Sequence, residues 1–121
     1  MCIRDRFLNI NAWGENKGFI QFQQCGTGGN IGKTILIDGI WHYLTSTFDS
    51  SLNELKLFVD GKLEAVFEPS FENDNSSHKV KIGSNGLADS LFNGLIDDIR
   101  IYDRALSEEE ISLLYLSLIH I

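Results

Sequence analysis

An all-β antiparallel sandwich, finished by one short C-terminal helix, is the fold class this sequence predicts, and three observations carry the prediction. Short apolar runs alternate with polar residues at period two and recur with turn residues between them. Eleven glycines stand against one proline, a balance that suits sheets and tight turns better than helix bundles. A single stretch near the C-terminus has helical spacing with a readable start. With 121 residues, 43% hydrophobic and 11% aromatic, the chain has room for one domain with a real core.

The elements follow in order. Phe19 to Gln23 sets Ile20 and Phe22 against Phe19, Gln21 and Gln23. Thr34 to Ile37 is a short apolar run stopped by Asp38-Gly39, and a strand over Trp41 to Phe48 comes next. Leu55 to Val59 directs Leu55, Leu57 and Val59 inward and leaves Lys56 and Phe58 outward. Asp60-Gly61 supplies the two positive φ angles of a type I′ turn, so Leu63 to Phe67 is expected to pair antiparallel with the preceding strand.

After Pro69 and Ser70 comes FENDNSSH, whose Asx and Ser side chains bond their own backbone and favour a loop. Lys79 to Ile82 alternates, with Val80 and Ile82 expected inward and both lysines in water, and Ser84 to Ser90 is another loop. In the strand pattern leading to Tyr102, Leu95, Ile99 and Ile101 share one face with Asp97, while Asp98, Arg100 and Tyr102 share the other. Ser107 stands three residues ahead of Glu110, the spacing of a capping box, and Ile111, Leu114 and Tyr115 follow on one helical face. The count is seven to nine strands and one helix.

Charge and hydropathy exclude two classes of partner. A formal net charge of -7 argues against nucleic acid, because a phosphate backbone is bound by clustered Lys and Arg that release counterions. No apolar run approaches the ~20 residues of a membrane span, so no membrane insertion is expected.

Several motifs invite chemistry and fail on inspection. In Cys25-Gly-Thr-Gly-Gly-Asn-Ile-Gly32-Lys33-Thr34, a phosphate loop needs glycine where Thr27 stands, and the following Ile35-Leu36-Ile37 reads as strand, not helix. A dinucleotide fingerprint starting at Gly26 and Gly28 needs glycine at Ile31. His42 has no Ser or Cys placed with it in a nucleophile motif, and no catalytic role is assigned to it. Adjacent Asp97 and Asp98 point to opposite faces of a strand, so they cannot flank one glycosidic bond as an acid and base must.

A noncatalytic use of the same residues is better matched. Asp98, Arg100 and Tyr102, with outward Phe58, offer the combination that binds sugars: an aromatic face for C–H stacking, and charged groups for hydroxyls. A solvated strand face gives the same pattern. Asp97 shares its face with Leu95 and Ile99, where a bare charge must be hydrogen-bonded, paired or metal-bound. The Asn73-Asp74-Asn75 loop offers further oxygens without EF-hand spacing. Asn75-Ser76-Ser77 is a glycosylation sequon, with meaning only in a eukaryotic secretory context.

Four short motifs occur in a fixed order: Trp41-His42, Val59-Asp60-Gly61, Ile82-Gly83, and Gly94 through Asp97-Asp98 to Arg104-Ala-Leu-Ser107. Together, over roughly 65 residues, they make the chain resemble the laminin G-like members of the concanavalin A-like jelly-roll superfamily. The resemblance implies a concanavalin A-like antiparallel jelly-roll, here N-terminally truncated, since family members carry further strands before the first recognised here and only Phe7 to Trp13 is available as a remnant. A strand edge and part of the core are then expected to stand uncovered, with aggregation as the consequence for the chain alone.

The resemblance also implies a module of a larger secreted or surface protein, beside other domains of the same parent chain, recognising a glycan or an extracellular protein. It implies calcium as the expected ion, with Asp97 as a ligand; backbone N–H groups of a neighbouring loop are the other way to satisfy that carboxylate. The competing class is a glycoside hydrolase or lyase of the same fold, although no Glu-x-Asp-x-x-Glu pattern is present. A structural adhesion or spacer domain is the third.

The two ends have a separate origin in this reading. MCIRDR (residues 1–6) and LSLIHI (residues 116–121) are encodable by one DNA sequence read on opposite strands, ATG TGT ATA AGA GAC AG and its reverse complement, which resembles a transposase adapter used in sequencing libraries. Both hexapeptides are expected to be adapter read-through, leaving residues 7–115 as the partial domain. Cys2 then leaves the count, so Cys25 has no partner for an internal disulfide. Genomic reads continuous across Arg6/Phe7 and Tyr115/Leu116 would remove the idea.

Overall fold

A computed structural model describes residues 6–11, 15, 17–24, 30–69, 80–84 and 91–119. Two three-stranded antiparallel sheets form, each a meander of sequential neighbours. The first contains β1 (Arg6–Ile10), β2 (Phe19–Gln24) and β3 (Asn30–Ile35), and the second β4 (Leu44–Asp49), β5 (Glu54–Val59) and β6 (Lys62–Phe67). One helix, α1 (Glu108–Leu118), follows.

Pairing in the first sheet runs from Arg6↔Gln24 to Ile10↔Ile20, then from Phe22↔Asn30 to Phe19↔Ile35 with an irregularity between Phe19 and Gln21. Strand β3 therefore starts inside the glycine-rich stretch, ahead of the expected Thr34. Packing explains the shift: a Cβ on Gly32 would collide with Ile20 Cγ2, so glycine lets β3 lie directly over this buried residue. The glycine has a packing duty, consistent with the rejection of a phosphate loop.

In the second sheet, Leu44↔Val59 through Asp49↔Glu54 join β4 to β5. The connecting turn is closed by Asp49 Oδ1, which accepts from the Ser51 N–H at 2.9 Å and its hydroxyl at 2.6 Å. Between β5 and β6 the expected hairpin is present, with Val59↔Lys62 at its mouth. Asp60 and Gly61 take φ of 52° and 77°, as a type I′ turn demands.

The sandwich interior joins the sheets through Ile20, Leu36, Leu57 and Val59, with Ile10, Phe22, Leu44 and Phe67 packed against them. A backbone-to-side-chain bond from the Thr34 N–H to Glu64 Oε1, 2.9 Å, adds a polar link between β3 and β6. On the opposite face of β5, Phe58 is covered by Leu106, Ile111 and Leu114 of the C-terminal region. Alternation on β5 is as expected, but its outward face is not solvent. Phe58 is 1% exposed, which corrects its assignment as a ligand-stacking ring: the helix that the capping box starts comes down on that face.

The helix start is built as the sequence predicts. The Glu110 N–H donates to Ser107 Oγ and the Ser107 N–H to Glu110 Oε1, both at 3.1 Å, and Glu108, Glu109 and Glu110 place negative charge at the positive end of the helix dipole. Lys56 Nζ reaches Glu108 Oε1 at 3.2 Å from the sheet. Tyr115 seats on the hairpin turn, where a Cβ on Gly61 would meet its side chain at 3.0 Å.

Three expected strands are corrected. Strand β4 begins at Leu44, after Trp41 to Tyr43, because the Tyr43 N–H is taken by Asp60 Oδ1 at 2.9 Å. Val80 and Ile82 are 76% and 58% exposed, not inward, and among the described residues an isolated bridge, Ser84↔Leu91, joins that arm to the next. Residues 94–102 enter no ladder among the described residues. Asp98 there has φ 55° and its N–H is bonded to Asp97 Oδ1 at 2.8 Å; this local side-chain turn competes with ladder pairing. Asn73, Asp74, Asn75, Cys2 and Cys25 lie outside the described residues.

Candidate ligand-binding surface

Arg100 organises the exposed segment before the helix. Its Nη2 donates to Asp98 Oδ1 at 3.3 Å, and the neighbouring Tyr102 hydroxyl, followed by the charge of Asp98, raises its pKa above the ordinary guanidinium value. The sequence-derived trio of Asp98, Arg100 and Tyr102 is thus brought together, all three exposed. Phe58 is not part of the group, being buried on the sheet beneath α1.

Tyr102 also stands at the end of an open groove of about 330 Å³ between the segment and α1. Leu106, Leu113 and Leu114 supply apolar wall, and Arg104, Glu110 and Ser117 supply polar groups. Arg104 Nη1 donates to Glu110 Oε1 at 2.9 Å, and its second arm to Glu110 Oε2, a bidentate pair. That contact, reinforced by the Ser107 N–H, holds the Glu110 carboxyl down at about 2. Arg104 escaped the sequence reading because its partner lies six residues away, across the helix start; the available signal was the capping-box glutamate, whose second oxygen needed a donor.

Asp97 is exposed, and its Oδ1 accepts the N–H of the next residue. Among the described residues no group of three or more His, Cys, Asp or Glu side chains is placed to hold a metal ion.

A second polar cluster joins the β3–β4 connection to the β5–β6 turn. His42 Nδ1 lies 2.8 Å from Asp60 Oδ2, and Nε2 lies 2.9 Å from both oxygens of Asp38. Burial opposes charge on the imidazole, yet the hydrogen bonds to Asp60 and Asp38 outweigh it and raise its pKa. Asp38 is lowered, first by His42 and then by the Ile40 N–H. Both ring nitrogens are engaged, so neither is presented to a substrate. His42, expected without partners, is a structural bridge; the i, i+4 spacing to Asp38 was its one local signal.

The family model of the laminin G-like domains, described as the concanavalin A-like lectin/glucanases superfamily, matches residues 5–112. A solved structure, residues 221–444 of an S-layer domain-containing protein from Clostridium thermocellum ATCC 27405, is similar at 26% identity and a TM-score of 0.59, over 84% of this chain and 53% of that one. The chain thus spans about half the length of that structure. No curated protein matches.

Proposed function

This chain belongs to the concanavalin A-like lectin/glucanase superfamily, and from that premise we propose that it is a noncatalytic recognition module of a larger cell-surface or secreted protein, binding carbohydrate. One observation carries the choice of surface. Asp98, Arg100 and Tyr102 stand together and exposed, beside a groove whose polar rim is the Arg104–Glu110 pair. An aromatic ring for sugar C–H faces, next to a guanidinium and carboxylates for hydroxyls, is the required chemistry. The S-layer domain-containing neighbour supports placement at the cell exterior, and no helix among the described residues is long and apolar enough to cross a membrane.

The test is a glycan array probed with the full-length gene product, with and without a calcium chelator. Binding is expected, and Arg100→Ala with Tyr102→Ala should weaken it at least about tenfold, the loss of one or two charged or stacking contacts. Binding that survives both substitutions discards this surface, and loss of binding on chelation brings calcium into the site. Capture of a surface protein in place of any glycan shifts the ligand class, and polysaccharide hydrolysis moves the parent protein to the enzymes.

A further inference from the structure

Charge in the groove beside α1 is already settled internally. Arg104 is held by both oxygens of Glu110, and Arg100 by Asp98 Oδ1. A sugar carboxylate or sulfate would have to break a bidentate pair or sit beside ionised Glu110 or Asp98, and the neighbouring Asp103 carboxylate, which also acts on Arg104, adds to that repulsion. An ammonium sugar meets the guanidiniums in the same way. What the pairs leave over is hydrogen-bonding capacity without net charge: further guanidinium N–H donors and carboxylate lone pairs, suited to hydroxyls.

The apolar wall of the same groove offers something that a ring bearing only hydroxyls does not use. Leu106 and Leu114 are fixed by packing with Phe58 and Ile111, and beside them Leu113 is 66% exposed. Tyr102 suits the C–H face of a sugar, which leaves the leucines without a partner group. A methyl laid against them gains about fourfold in affinity as it leaves water. The volume of about 330 Å³ lies within the range of small-ligand clefts, ~300–1,000 Å³. Resting on the carbohydrate reading above, we infer that the groove selects an uncharged sugar bearing a methyl group, the acetamido methyl of an N-acetylhexosamine or the methyl of a 6-deoxyhexose, with Leu113 as the residue that recognises it.

Calorimetric titration of the full-length gene product with sugars that differ in a single group decides the matter. Chitotetraose, cellotetraose and fully deacetylated chitosan tetraose carry acetamido, hydroxyl and ammonium groups at the same ring carbon; L-fucosides and L-galactosides differ in one hydroxyl, and tetragalacturonate supplies a carboxylate. In at least one series the methyl-bearing member should bind about fourfold more tightly than its hydroxyl counterpart, with the charged sugars weaker than either. Leu113→Ser should bring the matched pair within about twofold of each other and leave the melting temperature unchanged, since the side chain is exposed. Equal binding within both matched pairs overturns the inference, as does preference for a charged sugar or a methyl preference that Leu113→Ser leaves intact. If that variant melts early, the matched pairs in the wild-type protein decide alone. The Arg100→Ala, Tyr102→Ala protein separates the two readings: loss of binding there, with no methyl preference in the wild type, keeps the surface and sinks the selectivity, whereas a Leu113-dependent preference that persists discards the Arg100 surface and upholds the groove. Absence of binding to every sugar overturns both.

Discussion

Leu57 and Ile99 sit in stretches of the same alternating character, yet one is 0% and the other 51% exposed. The difference lies in neighbours. Strand β5 has β4 on one side and β6 on the other, the sandwich interior on one face and α1 on the other. Among the described residues, 94–102 has no ladder partner on either side, and only Tyr102 at its end reaches the groove beside α1. Alternation states which side chains would share a face, but a strand exists only when its backbone groups find a ladder. Where they do not, a short-range alternative such as the Asp97 bond to the Asp98 N–H prevails.

The contrast is broken or sharpened most strongly at Phe58. Phe58→Ala, which opens the contact with α1, should cost about 3–5 kcal/mol, whereas Ile99→Ala in the same chain should stay within about 0.5 kcal/mol; urea titrations of the pair check this. Equal losses would mean that 94–102 is packed after all. Ser107→Ala removes the helix cap and should cost about 1 kcal/mol, read as a lower denaturation midpoint with reduced helical circular dichroism. Ile99 should be indifferent to it.

A smaller effect is expected from pH. The folded-state pKa of His42 is raised, so its stabilising contribution is fully present below the ordinary value of 6.5 and is lost as pH rises through the raised value. His42→Gln should flatten the melting temperature between those two points and leave it little changed at higher pH. A variant that keeps the wild-type slope would assign the effect elsewhere. Least affected should be stability in Arg100→Ala, within about 0.5 kcal/mol, with the loss confined to ligand binding; a melt beside the binding assay separates the two.

Legibility in the sequence followed the range of the interaction. The hairpin at Asp60-Gly61 and the capping box at Ser107 are decided within four residues, and both were readable. Phe58 was placed on the right face and in the wrong environment, because a helix some fifty residues away covers it. His42 lacked visible partners for the same reason: Asp60 is brought to it by the β4–β5 hairpin. Asp98, Arg100 and Tyr102 are neighbours as expected, although the strand assumed to align them is absent and the Arg100–Asp98 hydrogen bond does the aligning. Arg104 and the groove required the angle between the segment and α1, which no spacing rule encodes.

The two turns of the second sheet differ in what hangs on them. Ser50, Ser51, Leu52 and Asn53 are exposed, and their closing bonds are internal to the turn. At the other end, Asp60 serves His42 and Tyr43 while Gly61 gives Tyr115 its seat. For anyone fitting this protein with a tag, label or fused cargo, residues 50–53 are therefore the place to insert, whereas even one added residue at 60–61 would uncouple the β3–β4 connection and the terminal helix together.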